Sequence, residues 1–243
     1  MASMPPPLRT LLASDGSWYL AARARGPALA PCVRDYAGYE EFSASRRRRR
    51  ELPHCGVVLV INFAAAWHIA DPRRVRGAAR FESFVAGVDD FASVVNCVGR
   101  AHCLQVNFTP IGARRFFGVP MRHLARRVVA LDDLMGSEAG RLTDRLFQAP
   151  DWGARFDIVE HAIAARIATT APEDAGVLWA WRRIERECGS GSIAALAREL
   201  DCSRKHLAIR FRDQIGLPPQ SIAGLARFLP ALALICATSN SNL

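Results

Sequence analysis

The chain has 243 residues, half of them apolar, with a formal net charge of +9. That length suits one large or two ordinary domains with a sizeable core. No apolar run is long enough to span a bilayer and the opening Met-Ala-Ser-Met-Pro-Pro-Pro has no signal-peptide character, which excludes membrane and secretory classes from the expectation.

The positive excess is spread along the chain, +5 over 1–110, +1 over 111–173 and +3 from Asp174 onward, so charge alone supports an acidic partner only weakly. Seven cysteines, an odd number without CxxC spacing, fit reduced thiols in a cytoplasm. His54-Cys55 and His102-Cys103 invite a metal reading, but neither has zinc-site spacing, and small buried hydrophobes are the preferred account.

Taken in order, residues 1–16 read as a loose leader. Ser17–Arg23 reads as a strand ended by Gly26-Pro27, and Val33–Phe42 as a second strand region. The five arginines Arg46–Arg50 are read as the solvated start of a strand rather than a nucleic-acid patch, because they lead through Pro53 into Val57–Phe63. That β-branched run is the clearest strand. Segments at Trp67, Phe84, Ser93–Val98 and Cys103–Phe108 come at short intervals after it, the pattern of an antiparallel sandwich or barrel.

After Pro110 the apolar period lengthens to that of a helix. Helices are expected over Ile111–Phe117, closed by Gly118, over Met121–Ala125, and over Leu131–Gly136. A fourth, Glu138–Ala149, is capped by Ser137, and a fifth runs from Asp151 to about Ala168. Thr169–Pro172 is the best linker candidate. Glu173–Cys188 should pack on the helical segment C-terminal to it. One of Trp179 and Trp181 should lie in the core and the other at a domain contact, since two residues apart they cannot share a face.

Gly191–Asp213 then reads as two short helices joined by a tight turn. Ser192 caps the first, and Ile193, Leu196, Ala197 and Leu200 give it an apolar face. Ser203 caps the second, where Leu207 and Phe211 stack four apart, and Gly216 with Pro218-Pro219 ends it. Arg204, Lys205, Arg210 and Arg212 crowd this helix, as nucleic-acid contact requires.

Here the sequence resembles the AraC-type (AraC/XylS) transcription regulators. Ile193, Leu196, Ala197, Arg198, Leu200, Ser203, Arg204, His206, Leu207, Phe211, Arg212, Gly216 and Pro219 match the first helix-turn-helix of that family in order. Arg227-Phe228 and Ala231-Leu232 stand at the linker-helix position. The resemblance implies an α+β protein. An antiparallel, cupin-like β sensing domain (1–110) would be followed by a helical connector or dimerisation region (111–172) and a partial DNA-binding domain (173–243). It implies double-stranded DNA as partner and a small-molecule effector, with RNA polymerase and a second copy of the chain as further partners, and no cofactor. Family members contact bases from positions matching Lys205, Ala208 and Ile209. Ala208 and Ile209 offer no hydrogen bond and only methyl contact, while Ser203, Arg204 and Arg212 suit phosphate.

Two departures accompany the match. The chain reaches Leu243 where the second helix-turn-helix unit of the family should begin, and Pro230 should kink or break the linker helix. The expectation is therefore an AraC-type regulator with one reading helix of a pair. The rival is a truncated, DNA-silent sensing or dimerisation protein. No catalytic motif is present: there is no Gly-x-Ser-x-Gly, no phosphate-cradling glycine loop, no His-Glu-x-x-His, and His54, His68 and His102 are scattered. An enzyme is the weaker reading.

Overall fold

Val57–Asn62 shows how the chain divides its two faces. Side chains of a strand alternate with a period of two. In this strand Val57, Leu59 and Ile61 are buried against helices, while Val58 and Val60 point to the opposite side. A β-branched run that is apolar on both sides is what a strand between two packed layers needs. The computed structural model describes residues 8–12, 17–71, 78–170 and 172–240, without the side chains of 43–48, 97–98 and 232–240.

The described strands are β1 (Leu8–Leu12), β2 (Trp18–Arg23), β3 (Val33–Glu51), β4 (Val57–Asn62), β5 (Trp67–Ala70), β6 (Ala79–Phe81), β7 (Phe84–Ala86), β8 (Ser93–Phe108) and β9 (Val128–Ala130). All pair antiparallel, in the order β1-β2-β3-β8-β4-β7-β9, with β5 on β8 and β6 on β5. The long strands β3 and β8 run side by side. The second half of β8 meets β4 while its first half meets β5, so the sheet curls around a hollow.

Several expectations change here. Leu8–Leu12, read as part of a loose leader, is a paired strand; residues 1–7 and 13–16 lie outside the described residues. The arginine run does not open the strand at Val57. Its backbone is the end of β3, reached through a register shift between Ser43 and Arg47, and the side chains of Arg46–Arg48 lie outside the described residues. Ser93–Val98 and Cys103–Phe108 are one strand, because Gly99 at φ +83° carries the chain through a position that would strain other residues. The short strands β6 and β9 had no sequence signal long enough to read.

The helical half is α1 (Pro110–Phe117), α2 (Leu131–Met135), α3 (Ser137–Gln148), α4 (Trp152–Thr169), α5 (Ala175–Arg186), α6 (Ile193–Glu199), α7 (Arg204–Gln214) and α8 (Pro219–Asn240). Met121–His123 is a single 3-10 turn where a helix was expected. Thr109 caps α1 by accepting from the Gly112 amide at 3.0 Å, and Asp151 caps α4 by accepting from Ala154 at 2.8 Å. Ser137 does not cap α3. Gly136 holds the cap position, and the Ser137 hydroxyl instead accepts from Arg141 at 3.2 Å.

The longest connector helix, α4, lies across the sheet. The Trp152 ring occupies the space beside Gly38 where any Cβ would collide, and Phe156 packs on Tyr36 at 6.1 Å between ring centroids. Buried Arg23 pairs with Asp157 at 2.6 Å and Glu160 at 3.1 Å from the same helix. One apolar cluster continues from the sheet through these helices to Leu207, Phe211, Ile222 and Leu225. Of the two tryptophans of α5, Trp181 is buried there. Trp179 is 36 % exposed, its ring covered on one side by Arg183.

Thr170, in the expected linker, is pinned, its hydroxyl donating to the Arg115 and Arg166 carbonyls at 2.8 Å; Ala171 lies outside the described residues. Helix α8 continues past Pro230 without a break, contrary to expectation. Proline removes one backbone donor, and a long helix held by packing along its first half can absorb that loss. Residues 241–243 lie outside the described residues. Among the described residues no helix is long and apolar enough to cross a membrane.

Candidate functional site

Two features stand apart from the core: the outer face of α7 and the hollow inside the sheet.

The α6–α7 pair is built by its caps. Ser192 accepts from the Ala195 amide at 3.3 Å, and Ser203 accepts from His206 at 3.1 Å. Between them Asp201 sits at φ +47°, and the Cys202 amide reaches back to the Ala197 carbonyl at 3.0 Å, which closes the turn. Aspartate is among the few residues that tolerate this left-handed conformation. Leu196, Ala197, Leu207 and Phe211 are buried between the two helices and α5.

The outward face carries most of the expected residues. Arg204, Lys205, Ala208 and Arg212 line a shallow groove of about 410 Å³ together with Pro218 and Gln220. Arg204, Ala208 and Arg212 fall at intervals of four, a ridge roughly 12 Å long at 1.5 Å per residue. Ser203 is spent on the cap. Ile209 is 54 % exposed beside the groove rather than in it. Among the described residues none of Arg204, Lys205 or Arg212 has an acidic partner.

Arg210 is a correction. It turns inward, and its Nε donates to Asp174 at 2.6 Å, with a second contact from Nη2. Asp174 also caps α5, accepting from Gly176 at 2.9 Å and Val177 at 3.2 Å. The hydrogen bonds from Arg210 hold the Asp174 carboxyl below its ordinary range. Arg210 stands at the edge of the buried face, three residues after Leu207 and beside Phe211, but its partner is 36 residues away.

The far end of α7 leans on the connectors. Asp213 accepts from Arg122 and lies 3.8 Å from Arg114. Gly216, at φ +103°, allows the chain to turn against Met121 and Ala125.

The hollow in the sheet is a cavity of about 830 Å³, a size suited to a small molecule. One end is aromatic: Trp67 and Phe84 lie 5.8 Å apart, and Phe81 and Phe84 5.9 Å. Two strands away along the same face the lining is polar. Gln105 Nε2 donates to Asn107 Oδ1 at 2.9 Å, and Asn107 Nδ2 donates in turn to Asp35. The rim is tied to α8. Arg126 donates from Nε and Nη2 to Asp90, both at 2.6 Å, and these bonds, with a smaller influence of Ser221 on α8, keep its carboxyl low. Leu229 of α8 is part of the cavity wall.

His54 and Cys55 line the same cavity. Burial lowers the His54 imidazole below its ordinary value, and its Nδ1 accepts from the Gly56 amide at 3.3 Å, so the neutral ring carries its proton on Nε2. Burial raises the Cys55 thiol to about 11, an unreactive state. His102 lies on the other side, 3.5 Å from Glu40 and edge-on to Trp152. Among the described residues no group of three His, Cys, Asp or Glu is placed to hold a metal ion, and the side chains of Cys97 and Cys236 lie outside them. Sequence reasoning missed this cavity. Its only signal was Gln105 and Asn107 alternating with apolar residues in β8.

A family model described as a domain of unknown function (DUF6597) matches residues 26–130. No curated protein matches the chain. Among solved structures, the chain is similar to the AraC-like transcriptional activator CuxR, with a TM-score of 0.36 and 13 % identity over 92 % of this chain and 86 % of that one. It is similar to ToxT from Vibrio cholerae, with a TM-score of 0.44 and 8 % identity over 82 % of each. A predicted oxalate decarboxylase from Thermotoga maritima is similar to 43 % of this chain over 93 % of its own, with a TM-score of 0.31 and 11 % identity. Scores this low carry no argument about function.

Proposed function

We propose that this protein is a DNA-binding transcription regulator, non-enzymatic and cytoplasmic, in which α6 and α7 act as a helix-turn-helix and the sheet cavity holds an effector. The observation that carries the reading is the basic ridge Arg204–Lys205–Arg212, without acidic partners among the described residues, on a capped helix whose opposite face is locked into the core. Unpaired guanidinium and ammonium groups on a rigid helix are a ready site for phosphate. Arg204, Lys205 and Arg212 supply phosphate contacts, Lys205 also reaches a guanine edge, and Ala208 and Ile209 touch thymine methyl groups.

Two contacts join cavity to helix in this reading. Leu229 and Ser221 bring α8 to the cavity, and Asp213 ties α7 to Arg122 on the connector. A molecule in the cavity would then alter how α7 is presented, or how two copies pair.

The test is binding to duplex DNA from upstream of its own coding region, with salt varied. Three phosphate contacts predict a log–log salt slope of about −3. A specific observation favours a second reading, a DNA-silent sensing protein: two of the three residues at base-reading positions, Ala208 and Ile209, offer no hydrogen bond. A folded protein that fails to bind duplex at low salt decides for it.

A further inference from the structure

The inner face of β8 presents a hydrogen-bond arrangement with only one consistent orientation. A carboxylate accepts and cannot donate. Asp35 therefore receives the amide nitrogen of Asn107, which turns Asn107 Oδ1 toward Gln105, and Gln105 must answer with its own nitrogen. The carbonyl Oε1 of Gln105 is left over, and no described residue donates to it. An amide oxygen held in place by a chain anchored on a carboxylate, in a cavity wall and open to the cavity's solvent, offers a fixed acceptor to a donor from outside the protein.

The strand register places that acceptor. Gln105 pairs with Val60 across β8 and β4, and Val60 pairs with Phe84 across β4 and β7. Two strand spacings, roughly 10 Å, separate the amide from the Phe84 backbone. Phe84, Trp67 and Phe81 form the aromatic end beyond, with Val60, Ile69 and Val95 around them. Charges along the walls are largely engaged: Arg49 with Glu41, Asp35 with Asn107, Arg126 with Asp90, Arg34 with Glu185. An ionic ligand in the interior would have to break these pairs.

We infer that the cavity takes an uncharged aromatic molecule carrying a hydroxyl or N–H donor, its ring among Trp67, Phe81 and Phe84 and its donor on Gln105 Oε1. The inference rests on reading the cavity as an effector site, and it names the ligand class.

The experiment uses the full chain and three probes, naphthol, its methyl ether and naphthoate, followed by tryptophan fluorescence and thermal shift. Naphthol is expected to bind about tenfold more tightly than the ether, the scale of one hydrogen bond to a fixed acceptor. Naphthoate should bind weakest. Gln105→Leu should equalise naphthol and ether while leaving the affinity for the ether within about twofold, which also reports that the variant is folded. Equal wild-type binding of naphthol and ether overturns the inference. So does naphthoate binding tightest, the result of an acid read at the rim by Arg127, and so does a failure of all three probes to bind. The wild-type ranking needs no variant and decides the matter if Gln105→Leu does not fold. Duplex binding on the same preparation separates the two readings: DNA binding without the ranking overturns the ligand class alone, and the ranking without DNA binding overturns the regulator alone.

Discussion

The arginines of the cavity and the arginines of α7 are the same chemical group in opposite circumstances. Around the cavity, Arg34, Arg49 and Arg126 each meet a carboxylate of the protein. On the outer face of α7, Arg204 and Arg212 meet none among the described residues. Satisfied charges hold a wall in shape, whereas unsatisfied ones leave a surface open to an external anion. Arg210, beside buried Phe211 on the same helix, belongs to the first class.

Four tests, using five variants, sharpen or break this contrast. Phe211→Ala should have the largest effect, about 3–5 kcal/mol of unfolding free energy by denaturant titration, because the ring is buried where the two-helix pair meets the rest. A loss below about 1 kcal/mol would mean that the helix pair is not locked to the core.

Arg210→Ala and Arg212→Ala form the second test. Arg210→Ala should cost about 1–2 kcal/mol of stability, because it leaves Asp174 without its partner. Arg212→Ala should change stability by less than about 0.5 kcal/mol and reduce the DNA salt slope by about one. Equal behaviour of the two would end the comparison.

The third concerns acid. The Asp174 carboxyl is held below its ordinary value of 3.8 by Arg210, so the folded state binds fewer protons there than the unfolded chain. That stability is complete above the ordinary value and fades as pH falls through the folded one. Asp174→Asn keeps an oxygen for the helix cap but loses the charge that Arg210 meets, so it should lower stability at neutral pH by about 1 kcal/mol and flatten the acid limb of a pH-dependent melt.

The smallest effect belongs to His54. Its value lies below the ordinary 6.5 through burial, so stability is expected to decline as pH drops below that value, and His54→Asn should remove that part of the slope. A melting temperature indifferent to pH in that window in the parent protein would contradict the buried, neutral imidazole.

What could be read from the sequence was local. Ser192, Ser203 and Gly216 mark helix ends by their own chemistry, so the α6–α7 pair was legible residue by residue, and so was β4 from its β-branched run. The length of β3 was hidden because the five arginines read as the start of the next strand, although their backbone pairs as the end of β3. The cavity was hidden for a deeper reason. Gln105, Trp67 and Phe84 come together only once β8 is shared between β4 and β5, and that sharing leaves no mark in any single segment. The inward turn of Arg210 was equally illegible, since its partner is 36 positions away.

The close passage of α5 and α8 has a mechanical consequence. A Cβ at Gly189 would sit 2.1 Å from the Ala223 carbonyl oxygen, and Arg227 Nη1 grips the Gly189 carbonyl. The backbone contact makes Ala223 a fulcrum on a stiff rod. Leu229, in the cavity wall, lies six residues to one side, about 9 Å, and Gln220, in the α7 groove, three residues to the other, about 4.5 Å, at 1.5 Å per residue. A tilt of α8 about that contact would carry the two residues in opposite senses, Gln220 by about half as far as Leu229.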